Sequence, residues 1–185
     1  MKREISDINI LEKFSIEFSS VVERHCPYII VSGFVAIALG RTRGTEDIDM
    51  IIPKLEQKKF FELHTDLRKS GFGCMQSERG EEVYGYLKEG LSVRYTWKDK
   101  PIPEMELKFS KDVLDEYQLK TRQKLPFTGT SLWFSSIEMN VAFKEAYLKS
   151  EKDLEDAKHL RMVYKGQLKE QEIENIKNMI RKRTL

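Results

Sequence analysis

The stretch that decides the fold is Tyr28–Pro53, YIIVSGFVAIALGRTRGTEDIDMIIP. A short apolar run ends in Ser32-Gly33, a polar loop intervenes, and Asp47-Ile48-Asp49 opens a second apolar run. Side chains of a strand alternate faces, so Asp47 and Asp49 lie side by side on one face and Ile48 is buried on the other. Aspartate is disfavoured in strands, and two like charges held together usually need a cation. Hard carboxylate oxygens at this spacing suit Mg²⁺ or Mn²⁺. The competing reading is a polar strand end at the surface, where two aspartates need no partner.

The same stretch offers a place for phosphate. Gly33 has no Cβ and lets backbone approach an anion closely, and the short helix predicted to follow presents free N–H groups. An ordinary strand–helix turn would use the same two residues. Arg41 and Arg43 flank the loop. Their guanidinium forks suit phosphate oxygens, although a solvated loop would carry them equally well. Thr45 can hydrogen-bond to the loop or to the carboxylates.

Outward from this stretch, the pattern predicts an α+β chain. Residues 7–25 form an amphipathic helix, capped by Ser6 or Asp7 and ended by Pro27. Strands are predicted at 28–32 and 47–52, with a short buried helix at 34–39 between them. A helix follows over 55–69. From 72 to 109 the chain is strand-like, in four runs (FGCMQ, EVYGYLK, LSVRYTW and EMELKF) punctuated by Gly80, Gly85 and Gly90, which predicts antiparallel hairpins. Residues 111–120 are a helix or an irregular connection, and Thr128 to Phe134 a further short strand. Ser135-Ser136-Ile137-Glu138 fits a capping box with Ser135 as cap. Helices then run to about residue 149, over 153–164 and over 170–182. The expected organisation is a mixed sheet flanked by helices over 1–134, with a helical extension over 135–185 packed on that core.

Composition narrows the functional classes. The 185 residues are 40% hydrophobic and 34% charged, with net charge +2, which supports a real core and gives no overall basic signal for nucleic acid. No apolar run approaches the roughly 20 residues of a membrane span, and the N-terminus lacks a signal-peptide pattern. Cys26 and Cys74 are far apart and read as reduced thiols. The expected location is the cytoplasm, with no membrane partner. His25, His64 and His159 are dispersed and form neither a zinc pattern nor a triad.

With these residues on the page, SGFVAIALGRTRGTEDIDMII resembles the motif of the DNA-polymerase-β-like nucleotidyltransferases, closest to the AbiEii-type, stand-alone group. The matching positions are Ser32-Gly33, Arg41, Arg43, Thr45, Asp47 and Asp49. A second segment, SSIEMNVAFKEAYLKSEKDLEDAKHL, is similar to the family's C-terminal motif at Glu138, Lys144, Lys152, Asp153 and Asp156. The resemblance implies a nucleotidyltransferase-type mixed sheet and transfer of a nucleoside monophosphate from an NTP, with a divalent metal and release of pyrophosphate. It implies that Lys144 reaches the active site. The acceptor is unidentified, whether RNA, protein or a small molecule.

One departure from the family pattern bears on activity. The third carboxylate is expected in a run like Gly-Leu-x-Ile-Asp-Val, and here Gly90-Leu91-Ser92-Val93-Arg94 places Arg94 at that position. Arg94 could neutralise the Asp47/Asp49 pair without a metal, or contact a substrate phosphate. Glu104, Glu106 and Asp99 are the candidates to substitute, and Glu106, on a predicted strand, is the best of them. The alternative to an active enzyme is therefore a catalytically impaired domain that binds a nucleotide, RNA or a protein partner, as in a toxin–antitoxin-like pair. A purely structural RNA-binding module is a third reading.

Overall fold

A computed structural model describes residues 10–42, 44 and 47–183. Arg43, Thr45, and the expected caps Ser6 and Asp7 lie outside the described residues. Five strands form one sheet: β1 (Ile29–Val31), β2 (Asp47–Ile52), β3 (Phe72–Cys74), β4 (Val93–Trp97) and β5 (Glu104–Phe109), in the order β1-β2-β5-β4-β3. Every neighbouring pair is antiparallel except β2 and β5, which run parallel. A parallel neighbour requires a crossover. Here it carries α3 (Gln57–Lys69), β3, α4 (Gly80–Lys88) and β4.

Period-two alternation gives this sheet two unlike faces. Ile48, Met50 and Ile52 of β2, Met105 and Leu107 of β5, and Val93 and Tyr95 of β4 are fully buried on one face. Against them pack α1 (Ile10–Glu23) and α3. Phe18 of α1 meets Phe72 edge-on at 5.1 Å and lies 5.5 Å from Tyr95 between ring centroids. Burying a side chain of this size contributes roughly 1.5–3 kcal/mol. The opposite face carries Asp47 and Asp49 of β2 and Glu104, Glu106 and Lys108 of β5, with Arg94 of β4 beside them.

The remaining helices are α2 (Gly33–Ala38), α5 (Val113–Lys120), α6 (Ile137–Phe143), α7 (Glu151–Val163) and α8 (Glu170–Arg183). A π-helical turn, Lys144–Leu148, continues α6. Ile137, Met139, Leu160, Ile173 and Ile180 belong to the same continuous core as Ile30, Phe34 and Phe134. The C-terminal helices thus share their apolar face with the sheet and α2 instead of enclosing a core of their own.

Three local expectations are corrected and one left open is resolved. The run EVYGYLK is helical, within α4, because Val83 and Leu87, four apart, are the residues it buries. Gly80 there answers to a close approach, since a Cβ would meet Phe61 Cδ1 at 3.2 Å. Residues 128–134 form no extended strand; Phe134 alone makes isolated bridges, to Ile30 and Gln123. The cap of α6 is Ser136, whose hydroxyl accepts from the Met139 N–H at 3.2 Å, while the Ser135 hydroxyl donates to Gln118 Oε1 at 2.9 Å. Glu138 accepts from the backbone N–H of Lys169 at 3.3 Å and so ties α6 to the start of α8. The connection at 111–120 resolves as α5, capped by Asp112, which accepts from the N–H groups of Leu114 and Asp115.

Candidate active site

The site is assembled by strand register. Parallel pairing sets Asp47 opposite Glu104 and Asp49 opposite Glu106, while antiparallel pairing sets Arg94 opposite Glu106. Four carboxylates and one guanidinium therefore share a patch of the sheet. Arg94 stands on the β4 side, its Nη2 at 3.4 Å from Glu106 Oε2 and its Nε at 3.6 Å from Glu104 Oε1. The strand next to β2 is β5, not β4. The acid beside Asp49 is accordingly Glu106, and Arg94 lies one strand further out. Asp99 sits in the turn after β4, away from this row.

Electrostatic tension is concentrated on Asp49. Burial pushes its carboxyl above the usual carboxylate range, and the neighbouring Glu106 and Asp47 add to the shift. The Ser32 hydroxyl, donating to Asp49, and the Lys108 ammonium oppose it. Glu104 is raised as well, first by burial and then by a hydrogen bond shared with Asp47.

Ser32, between β1 and α2, has φ 67° and ψ −139°, a conformation that L-residues other than glycine rarely adopt. That backbone aims its hydroxyl at Asp49, and buried Gly33 opens α2 behind it. Next to Asp49 a cavity of about 250 Å³ runs between the sheet face, α5 and α6. Ser32, Lys108, Gln118, Asn140, Lys144 and Tyr147 line it.

Lys144 is almost wholly buried, with Nζ 2.9 Å from Asp156 Oδ2 and 3.7 Å from Asp153 Oδ1. Arg41 pairs with Asp156 and Glu155 and donates to the Lys152 carbonyl at 3.1 Å. Both cations are thus anchored on α7, with Lys144 at the cavity wall and Arg41 locking the chain after α2 onto that helix.

An all-oxygen, carboxylate donor set is what Mg²⁺ or Mn²⁺ prefers. The raised carboxyl of Asp49 is the tension a cation would relieve. Among the described residues, no group of three or more His, Cys, Asp or Glu side chains converges as a ready cage. Mg²⁺ normally takes one or two carboxylates, with water and substrate phosphate completing its shell, so Asp47 and Asp49 fit it as partial ligands.

A scan against family models finds no match, and neither does a search of curated proteins. Solved structures do match. The solution structure of the antibiotic-resistance factor ANT(2'')-Ia superposes with TM-score 0.55 at 17% identity, over 91% of this chain and 90% of that one. The fold is that of the nucleotidyltransferases. The crystal structure of ANT(2'')-Ia in complex with adenylyl-2''-tobramycin gives TM-score 0.52 at 17% identity, over 92% and 96% of the two chains. A nucleotidyltransferase-like protein from Paracoccidioides brasiliensis gives 0.51 at 20%, over 93% and 87%. At these identities the likeness is one of fold, and it does not reach the narrower AbiEii-type group.

On this nucleotidyltransferase fold, sequence reading missed Lys108 and the polar cavity side chains Gln118 and Asn140. Lys108 had a visible signal. In Glu104-Met105-Glu106-Leu107-Lys108 the alternation that puts Glu106 on the carboxylate face puts Lys108 there too. Gln118 and Asn140 lie on helices, and nothing local says that those helices close over the sheet. Trp97 and Trp133 are half-buried and donate their indole N–H to Glu17 and Glu23 of α1. Cys26 is buried, which pushes its thiol up to about 12, and both cysteines are free. No helix among the described residues is long and apolar enough to cross a membrane.

Proposed function

We propose that the protein is a divalent-metal-dependent nucleotidyltransferase that moves a nucleoside monophosphate from an NTP to a hydroxyl-bearing acceptor. The single observation that carries this reading is the register placing Glu106 directly beside Asp49 on the neighbouring parallel strand. On this reading the third acid, which the run at 90–95 lacks, comes from β5. Asp47 and Asp49 would hold Mg²⁺, which when bound neutralises charge on the transferred phosphate. Glu106 takes the proton of the acceptor hydroxyl. The hydroxyl oxygen bonds to the α-phosphorus, the bond from that phosphorus to the β-phosphate oxygen breaks, and pyrophosphate leaves. Ser32 and Gly33 hold the triphosphate beside Asp49. Arg43 and Thr45, on the same loop by sequence, are proposed nucleotide contacts, and Arg41 steadies that loop through α7.

The test is transfer of label from α-labelled NTPs with Mg²⁺ to RNA, protein and small-molecule acceptors. An aminoglycoside belongs among them, because the ANT(2'')-Ia complex holds adenylyl-2''-tobramycin. Asp49→Asn and Glu106→Gln are each expected to lower transfer by about a hundredfold or more. Equal labelling by wild type and Asp49→Asn would sink the proposal.

The Arg94–Glu106 contact favours a second reading. A guanidinium on the third acid would leave a domain that binds nucleotide, RNA or a protein partner without turnover, in a toxin–antitoxin-like role. Under that reading Arg94→Ala does not raise transfer above background and NTP binding is independent of Mg²⁺. Mg²⁺-dependent turnover by the unmodified protein excludes it.

A further inference from the structure

We infer that Lys108 is the cation that takes the phosphates of the leaving pyrophosphate, in the cavity beside Asp49. This inference rests on the nucleotidyltransferase reading and assigns a residue that the sequence motifs do not mark.

Among the described residues two cations line the cavity, Lys108 and Lys144, and of the cations expected near it Lys144 and Arg41 are spent. Lys144 is held by Asp156 and Asp153, and Arg41 by Asp156 and Glu155. Pulling either from Asp156, which is fully buried, would strand a charge in a low-dielectric interior. Lys108 is placed differently. It projects from the same face of β5 as Glu106, two residues on, and is paired in register with Ile51. It is half-buried, lines the cavity together with Ser32 and Asp49, and lies near enough to Asp49 to act on its carboxyl. Among the described residues it forms no ion pair comparable to that of Lys144 with Asp156.

A half-buried ammonium without such a pair is costly in the absence of a ligand. An anion entering from the Ser32 side would offset that cost. The cavity continues past Lys108 to Gln118 and Asn140. The Asn140 side-chain amide donates to the carbonyls of Ser135 and Ser136, which turns its oxygen away from those bonds. With the Ser32 hydroxyl donating to Asp49, the cation left to face a phosphate is Lys108. Lysine acts on phosphate as a compact point charge on a flexible stem, which suits a group that must be held during transfer and then released.

Calorimetric titration of the full chain with magnesium pyrophosphate, and separately with Mg²⁺ alone, tests the assignment. Lys108→Met is expected to weaken pyrophosphate binding about tenfold or more while Mg²⁺ binding changes little. Lys108→Arg keeps most of the affinity. In turnover assays Lys108→Met raises KM for the NTP. If wild type binds magnesium pyrophosphate and Lys108→Met binds it equally well, the assignment is overturned and the nucleotidyltransferase reading stands. Parallel losses of Mg²⁺ and pyrophosphate binding also overturn it, since Lys108 would then only support Asp49. A wild type that binds neither pyrophosphate nor any NTP overturns the functional reading itself. An unchanged melting temperature confirms that Lys108→Met is folded, and Lys108→Gln serves if it is not.

Discussion

Ser32 is the residue at which backbone geometry and chemistry conflict most openly. Its φ of 67° is tolerated by glycine without steric cost, whereas a serine stores about 1 kcal/mol or more of strain there. The serine hydroxyl is what that strain secures, because it donates to Asp49. Ser32→Gly is expected to raise stability by about 1 kcal/mol, read from urea midpoints, while lowering transfer. A loss of stability would show that the hydroxyl bond outweighs the backbone term. This residue also marks what sequence could reveal. Ser32-Gly33 and Asp47-x-Asp49 were legible because their spacing is local, set by a turn and by strand alternation. Glu106 could be only a candidate, because its partner Asp49 lies on β2, across a crossover of two strands and two helices. Strand order is not written in any local pattern, so the match to a Gly-Leu-x-Ile-Asp-Val run points to Arg94, which lies one strand further out.

At the scale of elements, α7 is fastened to the core by a buried ionic knot. Asp156 accepts Lys144 at 2.9 Å and also pairs with Arg41, joining α7 to the π-helical turn and to the chain after α2. Removing one member of a buried set leaves unpaired charge and costs about 3 kcal/mol or more. Asp156→Asn should lower stability by that amount, measured by denaturant unfolding. The double change Lys144→Met with Asp156→Leu should recover part of it, though Arg41 then keeps only Glu155 and the Lys152 carbonyl. A neutral Asp156→Asn would mean that the knot contributes specificity without stability. The same π-helical turn explains a partial miss at this scale. Periodicity carried a helix through to about residue 149, yet at Lys144–Leu148 an extra residue per turn intervenes. Such turns are frequent at functional sites, and this one brings Lys144, Tyr147 and Leu148 to the cavity wall. Likewise EVYGYLK carries β-forming residues in a strand-like run, and only its packing of Val83 and Leu87 makes it α4.

For the whole molecule, the sequence predicted a core and a helical extension, and the structure joins their apolar residues in one cluster. A single cooperative transition is therefore expected in calorimetry, with the calorimetric and van't Hoff enthalpies equal. Two separated transitions would mean that residues 135–185 unfold on their own. The class of fold was legible, since alternating helices and short strands point to a layered α+β arrangement. The strand order β1-β2-β5-β4-β3 was not, because it depends on which edges meet after the crossover.

The parallel register of β2 and β5 bears, last, on how the chain reaches its native state. Asp49 and Glu106 are 57 positions apart, and pairing them closes a long loop, the kind of non-local contact that slows folding. The closing strands also bring carboxylates against one another. Assembly of the sheet's centre thus works against both chain entropy and charge repulsion, and a divalent cation would ease the second of these. The ion suited to the chemistry would then also act as a folding aid, quickening the step that creates its own binding place.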